Sequence, residues 1–272
     1  MGLFDGKKGL ILGVANDHSI AWAIAQQIMA EGGQCGFSHL PDRADDERQR
    51  NRRRVALLTD KCEAAKFLVP MNVSKDEDIQ AVMDRTKEEF GEIDFLLHSI
   101  AFADLKDLKR DTVETSRDGF KMAMEISAYS LIAVCNAAKS ILSAHAAVLT
   151  MTYFGGEKAV PGYNVMGICK AALDASVRYL AYDLGIQGVR VNAISAGPVR
   201  TLAGRGAGVD DMLLLYEKMA PLGRNISHEE VGHSGAFLLS EAASGITGEI
   251  LHVDAGYNIM GSPGRLLEGH QS

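Results

Sequence analysis

The chain has 272 residues, a length that suits one large α/β domain with a full hydrophobic core. Its 28 basic and 35 acidic side chains give a net charge of −7, which argues against a general nucleic-acid binder. Hydrophobic residues make up 47% of the chain and charged residues 23%, so disordered, mucin-like and collagen-like classes are excluded.

The cysteines, the histidines and the N-terminal residues point to the cellular compartment. Four cysteines are scattered without a CxxC pair, and eight histidines form no ligand-like cluster, so we expect neither a disulfide framework nor a metal site. The N-terminus lacks the order of a signal peptide, and no apolar run approaches the roughly 18 residues of a membrane span. We therefore expect a cytoplasmic protein that binds neither a membrane nor nucleic acid.

Short apolar strands and helices alternate along the whole chain. The first predicted strand, 9–12, ends at Gly13, and a helix follows Ser19. Later strands are predicted over 35–38, 66–70, 95–99, 147–152, 190–195 and 250–253, with helices over 76–90, from 99 through Leu142, and over about 163–184. Strands that are apolar without alternation are typical of a sheet covered on both faces. The order predicts the α/β class, with a Rossmann-type doubly wound domain whose seven-stranded parallel sheet has helices on both faces.

No linker-like segment divides the chain, so residues 1–272 are expected to form a single dinucleotide-binding and catalytic domain. A glycine-containing segment and an apolar helix at about 200–220 fit either a mobile substrate-binding lid or a surface hinge before a packed helix. The side chains that would line such a lid are Met212, Leu215, Tyr216 and Met219. The polar residues 261–272 are expected to be a frayed tail.

The turns after the first strands are candidate nucleotide contacts, because ligands of doubly wound sheets bind outside the carboxyl ends of the strands. The first turn has Gly13, then Ser19 and Ile20 at the start of a helix, where free N–H groups favour an anion. It lacks the G-x-G-x-x-G fingerprint, and a plain glycine turn with an ordinary Ser cap is an equal alternative. The turns after the third and fourth strands add Asn72, Val73 and Ile100.

The end of the second strand leaves the choice of coenzyme open. An Asp or Glu is expected there to hold the adenosine ribose, but the chain has Leu40. Arg43 and the basic run 48–54 could attract a 2′-phosphate, although the interleaved acidic residues make a solvated helix face the simpler interpretation.

Tyr163 and Lys170 are the candidate catalytic pair. Their spacing places them almost two turns apart on one face of a helix, so a phenol and an ammonium can address the same ligand. An ammonium there favours the anion that forms when a hydride is delivered to a substrate. By itself, such a pair is also common on an exposed amphipathic helix.

Several motifs combine with this spacing: 13–21, 98–101, Tyr153, 163–170 and 189–203. Together they resemble the NADH-dependent enoyl-acyl-carrier-protein reductases of bacterial fatty acid synthesis, within the short-chain dehydrogenase/reductase superfamily. The resemblance covers residues 2 to about 259. Ordinary members of the superfamily place the catalytic Tyr four residues before the Lys, where this chain has Met166.

The resemblance implies a role for each matching residue. Tyr163 would bind the thioester carbonyl, Lys170 would bind the cofactor ribose, and Tyr153 would be a further catalytic residue that supports the substrate pocket and proton delivery. Ala103 would be a further substrate contact. The implied cofactor contacts are Gly13, Ser19, Ile20, Leu40, Asn72, Val73, Ile100, Lys170, Val199, Arg200, Thr201, Leu202 and Ala203. Leu40 and Asn72 depart from the family pattern, which has a polar adenosine contact and an Asp at these positions.

The implied reaction is reduction of the trans-2 double bond of enoyl thioesters on acyl carrier protein by hydride from NADH, with NADPH left open. The strand and turns over 245–256 imply a homotetramer by analogy with the superfamily. No docking surface for the acidic carrier protein is evident, although the lid region has basic residues: Arg200, Arg205, Lys218 and Arg224.

Two rival functions remain. A ketone- or alcohol-converting short-chain dehydrogenase is disfavoured because Met166 occupies the position of its tyrosine. A nucleotide-binding regulator without catalysis is disfavoured because Tyr163 and Lys170 are both present.

Overall fold

The computed structural model describes residues 2–201 and 209–264. In this part of the chain, all strands join one parallel sheet of seven, in the order β3-β2-β1-β4-β5-β6-β7. The strands are β1 Lys8–Leu12, β2 Gln34–His39, β3 Ala65–Pro70, β4 Ile93–His98, β5 Leu142–Thr152, β6 Arg190–Ala196 and β7 Ile250–Val253. The predicted seven-stranded parallel sheet is confirmed.

Helices connect successive strands. They are α1 Ile20–Ala30, α2 Arg50–Thr59, α3 Asp76–Phe90, α4 Leu105–Lys109, α5 Arg117–Met124, α6 Ser130–Ala138, α7 Asn164–Gly185, α8 Val209–Met219 and α9 His228–Leu239. A π-helical turn, Glu125–Tyr129, joins α5 to α6. No helix in 2–201 or 209–264 combines the length and apolar character needed to cross a membrane.

The prediction of a long helix that extends through Leu142 is wrong. Helix α6 ends at Ala138, and Leu142 is the first residue of β5, where it pairs with Ile93 of β4. The Ile141 carbonyl also accepts the Ile93 N–H at 2.7 Å. Because Ile141 and Leu142 are apolar, they continue the helical pattern in the sequence, but their pairing with β4 places them in the sheet.

Side chains that alternate along the strands pack into two hydrophobic clusters, one on each face of the sheet. Leu10 and Leu12 of β1 belong to one cluster, and Ile11 between them belongs to the other. Helices α3, α6 and α7 cover the first cluster, and helices α1 and α9 cover the second. The predicted burial of the sheet on both faces is confirmed, and it directs ligands to the strand ends.

Candidate active site

The crevice of the sheet lies between β1 and β4, where the strand order changes direction. Gly13 ends β1 with φ of 98°, a backbone conformation that favours glycine. A Cβ at Gly13 would collide with the backbone carbonyl of Ser99, the residue after β4. The Ser99 N–H also donates to the Leu12 carbonyl at 3.0 Å. The two loops therefore touch at the bottom of the crevice, and Gly13 is the residue that permits the contact.

Ser19 shapes the first loop. Its Oγ accepts the N–H groups of Ala15 and Asn16, at 3.0 and 3.1 Å. Ser19 occupies the N-cap position of α1, but its side chain makes no capping hydrogen bond. The interpretation as an ordinary cap is therefore wrong, because the loop folds back and brings its own N–H groups to the hydroxyl. Ile20 is the first residue of α1.

The remaining candidates of the nucleotide half lie along the same edge of the sheet, after β2, β3 and β4. Leu40 is 63% exposed just beyond β2. The Asn72 side chain accepts the Ser74 N–H at 3.1 Å, and the Asn72 N–H donates to Asp78 at 2.9 Å. Asn72 thus forms the turn that leads into α3. Val73 is buried, and Ile100 packs against the core.

Lys170 lies under the carboxyl end of β5. Its side chain is buried, and Nζ donates to the Met151 carbonyl at 2.7 Å. Burial lowers the pKa of Lys170 to about 8, while Asp174 and Cys169 act in the opposite direction. Asp174 follows Lys170 by one turn of α7 and is also buried. The site therefore contains a cation whose charge is sensitive to its surroundings near neutral pH.

Tyr163 and Tyr153 form an aromatic pair. Tyr163 precedes α7, and its ring centroid lies 4.7 Å from that of Tyr153, with the planes inclined by 66°. Tyr163 packs with Ala103 and Met166 in a small apolar cluster. Burial raises the pKa of Tyr163, and Tyr153, Cys169 and Asp174 raise it further. The structure thus brings together the three predicted substrate contacts, and Tyr163 stays protonated at neutral pH.

Helix α8 lies against Tyr153. The Tyr153 hydroxyl is 3.3 Å from the Tyr216 hydroxyl and donates to the Met212 Sδ at 3.7 Å. Tyr216 is buried and Met219 is partly buried, whereas Leu215 is exposed. Of the four residues predicted to line a lid, Met212 and Tyr216 contact Tyr153. The lining of an acyl chain by these four residues stays a prediction.

The segment after β6 supplied five predicted cofactor contacts. Val199 is buried, and Arg200 is exposed, with its Nε donating to Asp210 at 3.2 Å. Thr201 is partly exposed. Leu202 and Ala203, like the basic candidate Arg205, lie outside the described residues.

Three residues at the site received no role from the sequence. Asp174 could have been found, since it lies four residues after Lys170 on the same helix. His98 is buried between Thr150 Oγ1 and Ser130 Oγ, at 3.0 and 2.8 Å. Burial lowers the pKa of His98 to about 3, so it is neutral. Tyr257 stacks on Tyr216 with centroids 3.7 Å apart, a contact that no local pattern indicates.

Comparisons with known proteins agree with this geometry. A family model described as "Enoyl-(Acyl carrier protein) reductase" matches residues 13–258, a range that includes every described residue of the site. The NADH-dependent enoyl-[acyl-carrier-protein] reductase FabI of Nostoc sp. is 49% identical over 257 residues, which are 94% of this chain and 98% of the relative.

Solved structures are equally similar. The crystal structure of the NADH-dependent enoyl-[acyl-carrier-protein] reductase of Aquifex aeolicus has a TM-score of 0.90 and 44% identity, covering 96% of this chain and all (100%) of that one. The Anaplasma phagocytophilum reductase, solved in complex with NAD, has a TM-score of 0.89 and 43% identity, covering 96% and 97% of the two chains. The similarity therefore extends over both halves of the site.

Proposed function

The chain belongs to the enoyl-(acyl carrier protein) reductase family, and from that premise we propose how its own residues carry out the reaction. It is an NADH-dependent oxidoreductase that reduces the trans-2 double bond of enoyl thioesters carried by acyl carrier protein, in fatty acid synthesis. The family, the activity and the cofactor predicted from the sequence are confirmed. The residue roles that follow are proposals.

The crevice between β1 and β4 fits a dinucleotide. Gly13 keeps the chain free of a side chain where the two loops touch, and Lys170 presents a buried ammonium under the strand ends. Among the described residues the hydrogen-bond acceptor of Nζ is the Met151 carbonyl, and an ammonium has three donors. NADH bound here supplies the hydride. The residues assigned to hold it are Gly13, Ser19, Ile20, Leu40, Asn72, Val73, Ile100, Lys170, Val199, Arg200, Thr201, Leu202 and Ala203.

Tyr163 stabilises the charge that develops on the substrate. Reduction at the β-carbon pushes electrons onto the thioester oxygen, and a donor aimed at this oxygen stabilises the enolate more than the substrate. Tyr163 suits this role because its phenol is protonated at neutral pH and can donate, and burial raises its pKa further. The enolate is then protonated at the α-carbon. Tyr153, packed against Tyr163, supports the substrate, and Lys170 contributes a positive field.

The observation that carries this assignment is the position of Met166. It lies four residues before Lys170 and packs in the apolar cluster, where its Sδ accepts from Ser127 Oγ at 3.8 Å. A thioether cannot donate the proton that a ketone-reducing tyrosine supplies at this position. The tyrosine that precedes α7 is Tyr163, seven residues before Lys170, and this spacing favours enoyl over ketone reduction.

Substrate comparison tests the proposal. We expect the enzyme to oxidise NADH with trans-2-enoyl thioesters of short and long chain and to leave a 3-ketoacyl thioester unreacted, followed by NADH absorbance. NADPH in the same assay checks the choice of coenzyme, since Leu40 provides no carboxylate for a ribose hydroxyl. Comparable turnover of the ketoacyl thioester would contradict the assignment and support a ketone-reducing enzyme.

We propose that α8 covers the acyl chain of the bound substrate. Two contacts support this: Met212 and Tyr216 both meet the Tyr153 hydroxyl, so the helix lies over the substrate tyrosines. Leu214 and Leu215 leave apolar surface of the same helix exposed. An acyl chain would enter between α8 and the tyrosine pair.

We propose a homotetramer in the cytoplasm. Tyr179, Tyr182 and Ile186 form an exposed apolar stripe at i, i+3 and i+7 of α7 and the turn after it, and such a stripe is typical of a subunit contact. Light scattering should give four times the chain mass. Free thiols at Cys35, Cys62, Cys135 and Cys169 suit a reducing compartment.

A further inference from the structure

Helix α8 places a second buried phenol against the substrate tyrosine. Tyr216 is only 3% exposed, and its hydroxyl lies 3.3 Å from that of Tyr153. The Tyr153 ring in turn packs on Tyr163 at 4.7 Å. Tyr216 of α8 therefore contacts Tyr153, and Tyr153 contacts Tyr163, the residue proposed to bind the thioester carbonyl.

The ring of Tyr216 is fixed from its other side. Tyr257 stacks on it with centroids 3.7 Å apart and planes inclined by 11°. Tyr257 itself packs edge-on against Phe154 at 5.8 Å, and Phe154 follows Tyr153 in the chain. The aromatic contacts therefore close a loop from Tyr153 through Phe154 and Tyr257 to Tyr216. A ring held in this way can direct its hydroxyl, because it has little freedom to rotate away.

The polarity of the hydroxyl pair follows from the number of protons. Each phenol has one proton to donate, so if Tyr216 donates to Tyr153, the Tyr153 proton is left for another acceptor. Burial raises the pKa of both groups, while the shared hydrogen bond lowers the pKa of Tyr153 and raises that of Tyr216. The Tyr153 proton goes to the Met212 Sδ at 3.7 Å, so the hydrogen bond between the two phenols takes its proton from Tyr216.

We propose that Tyr216 is a positioning residue of the reductase: its hydroxyl donates to Tyr153, so that the Tyr153 proton, which is directed at the Met212 Sδ in this structure, is available to the substrate when it binds. The inference rests on the proposed role of Tyr153 in the substrate pocket. Helix α8 would then have two roles: it covers the acyl chain, and it acts on the reaction through the hydrogen bond between the hydroxyls of Tyr216 and Tyr153. Tyr216 itself touches Tyr153 and acts through it.

A double-mutant cycle tests the inference, with Tyr216→Phe, Tyr153→Phe and the double variant. Tyr216→Phe keeps the ring and its stack, and it should lower kcat roughly five-fold with KM for the enoyl thioester nearly unchanged, because one hydrogen bond is lost. In the Tyr153→Phe background the same change should have little effect on kcat. Tyr129→Phe is the control, since it removes the hydroxyl of an exposed tyrosine, and its kcat should stay close to that of the wild type.

Thermal unfolding and NADH binding verify that each variant is folded. An equal loss of kcat in both backgrounds would overturn the inference, because Tyr216 would then act by packing alone. Wild-type kcat in Tyr153→Phe would also overturn the inference, since the reaction would then not need the Tyr153 hydroxyl that Tyr216 orients. In that case a slow Tyr163→Phe variant would still support the proposed function. A wild-type enzyme unable to reduce trans-2-enoyl thioesters would overturn the proposed function together with the inference.

Discussion

The two halves of the site, the nucleotide half around β1 to β4 and the catalytic half around β5, α7 and α8, differ in the kinds of residue they contain. The nucleotide half consists of a glycine, short side chains and backbone groups. The side chains of Ser19 and Asn72 accept hydrogen bonds from backbone N–H groups of their own turns. The catalytic half contains buried titratable groups, with the pKa of Lys170 lowered and that of Tyr163 raised. The first half leaves space for a cofactor, and the second shifts the pKa of the groups that act on the substrate. Substitutions in the two halves should therefore fail in different ways.

The largest expected effect is steric, at Gly13. Gly13→Ala places a Cβ on the Ser99 carbonyl at a backbone conformation unsuited to alanine. We expect the free energy of unfolding to fall by roughly 1–3 kcal/mol and NADH binding to be lost. Urea unfolding and a fluorescence titration with NADH measure the two effects. Gly185→Ala is the control, since a Cβ there meets nothing within 4 Å, and an equal loss in this variant would refute the steric explanation.

A smaller effect is expected when the buried cation is removed. Lys170→Met should weaken NADH binding roughly 10- to 100-fold, because a charge-assisted hydrogen bond to the cofactor is lost. The fluorescence titration with NADH measures this effect. Lys139→Met is the control, since it removes an exposed ammonium at the end of α6, and it should bind NADH like the wild type. Unchanged affinity in Lys170→Met would separate this lysine from the cofactor.

The smallest effect is a dependence on pH. Burial lowers the pKa of Lys170 from 10.5 to about 8, so the ammonium of the free enzyme loses its proton as pH rises through about 8. NADH affinity should fall over that range in the wild type and stay flat in Lys170→Met. If both enzymes show the same dependence, another group is responsible.

The same shift has a consequence for stability. Between about pH 8 and 10.5 the unfolded chain binds a proton at Lys170 that the folded chain has lost. The lysine therefore opposes folding fully below about pH 8, and its opposition fades as pH rises toward 10.5. Lys170→Met should remove this rise in stability, which urea unfolding at several pH values would detect.

The predictability of the two halves also differs. The strands were readable because buried parallel strands are continuously apolar. The placement of Tyr163 and Lys170 along α7 was also readable, since Tyr163 directly precedes this helix and Lys170 lies within it. The end of α6 could not be predicted from the sequence, because Ile141 and Leu142 are as apolar as the face of a helix. Their pairing with Ile93 of β4 places them in the sheet.

Contacts between distant segments were beyond reach of the sequence. The stack of Tyr216 on Tyr257 joins α8 to the turn after β7, and no spacing indicates it. The hydroxyl of Ser19 accepts two loop N–H groups and caps no N–H of α1, because the loop folds back on it. Geometry of this kind is decided by tertiary packing, whereas the chemistry was implied by the spacing of motifs and their resemblance to a known family.

The separation of the two halves is tested most directly at Tyr163. Single-turnover oxidation of bound NADH by a trans-2-enoyl thioester, measured with Tyr163→Phe beside an NADH titration of the same variant, reports on both halves at once. We expect hydride transfer to slow roughly 100-fold, because a donor to the developing oxyanion is lost, while NADH affinity stays within about two-fold of the wild type. Hydride transfer at the wild-type rate, or a loss of NADH affinity that accounts for the slower reaction, would contradict the account.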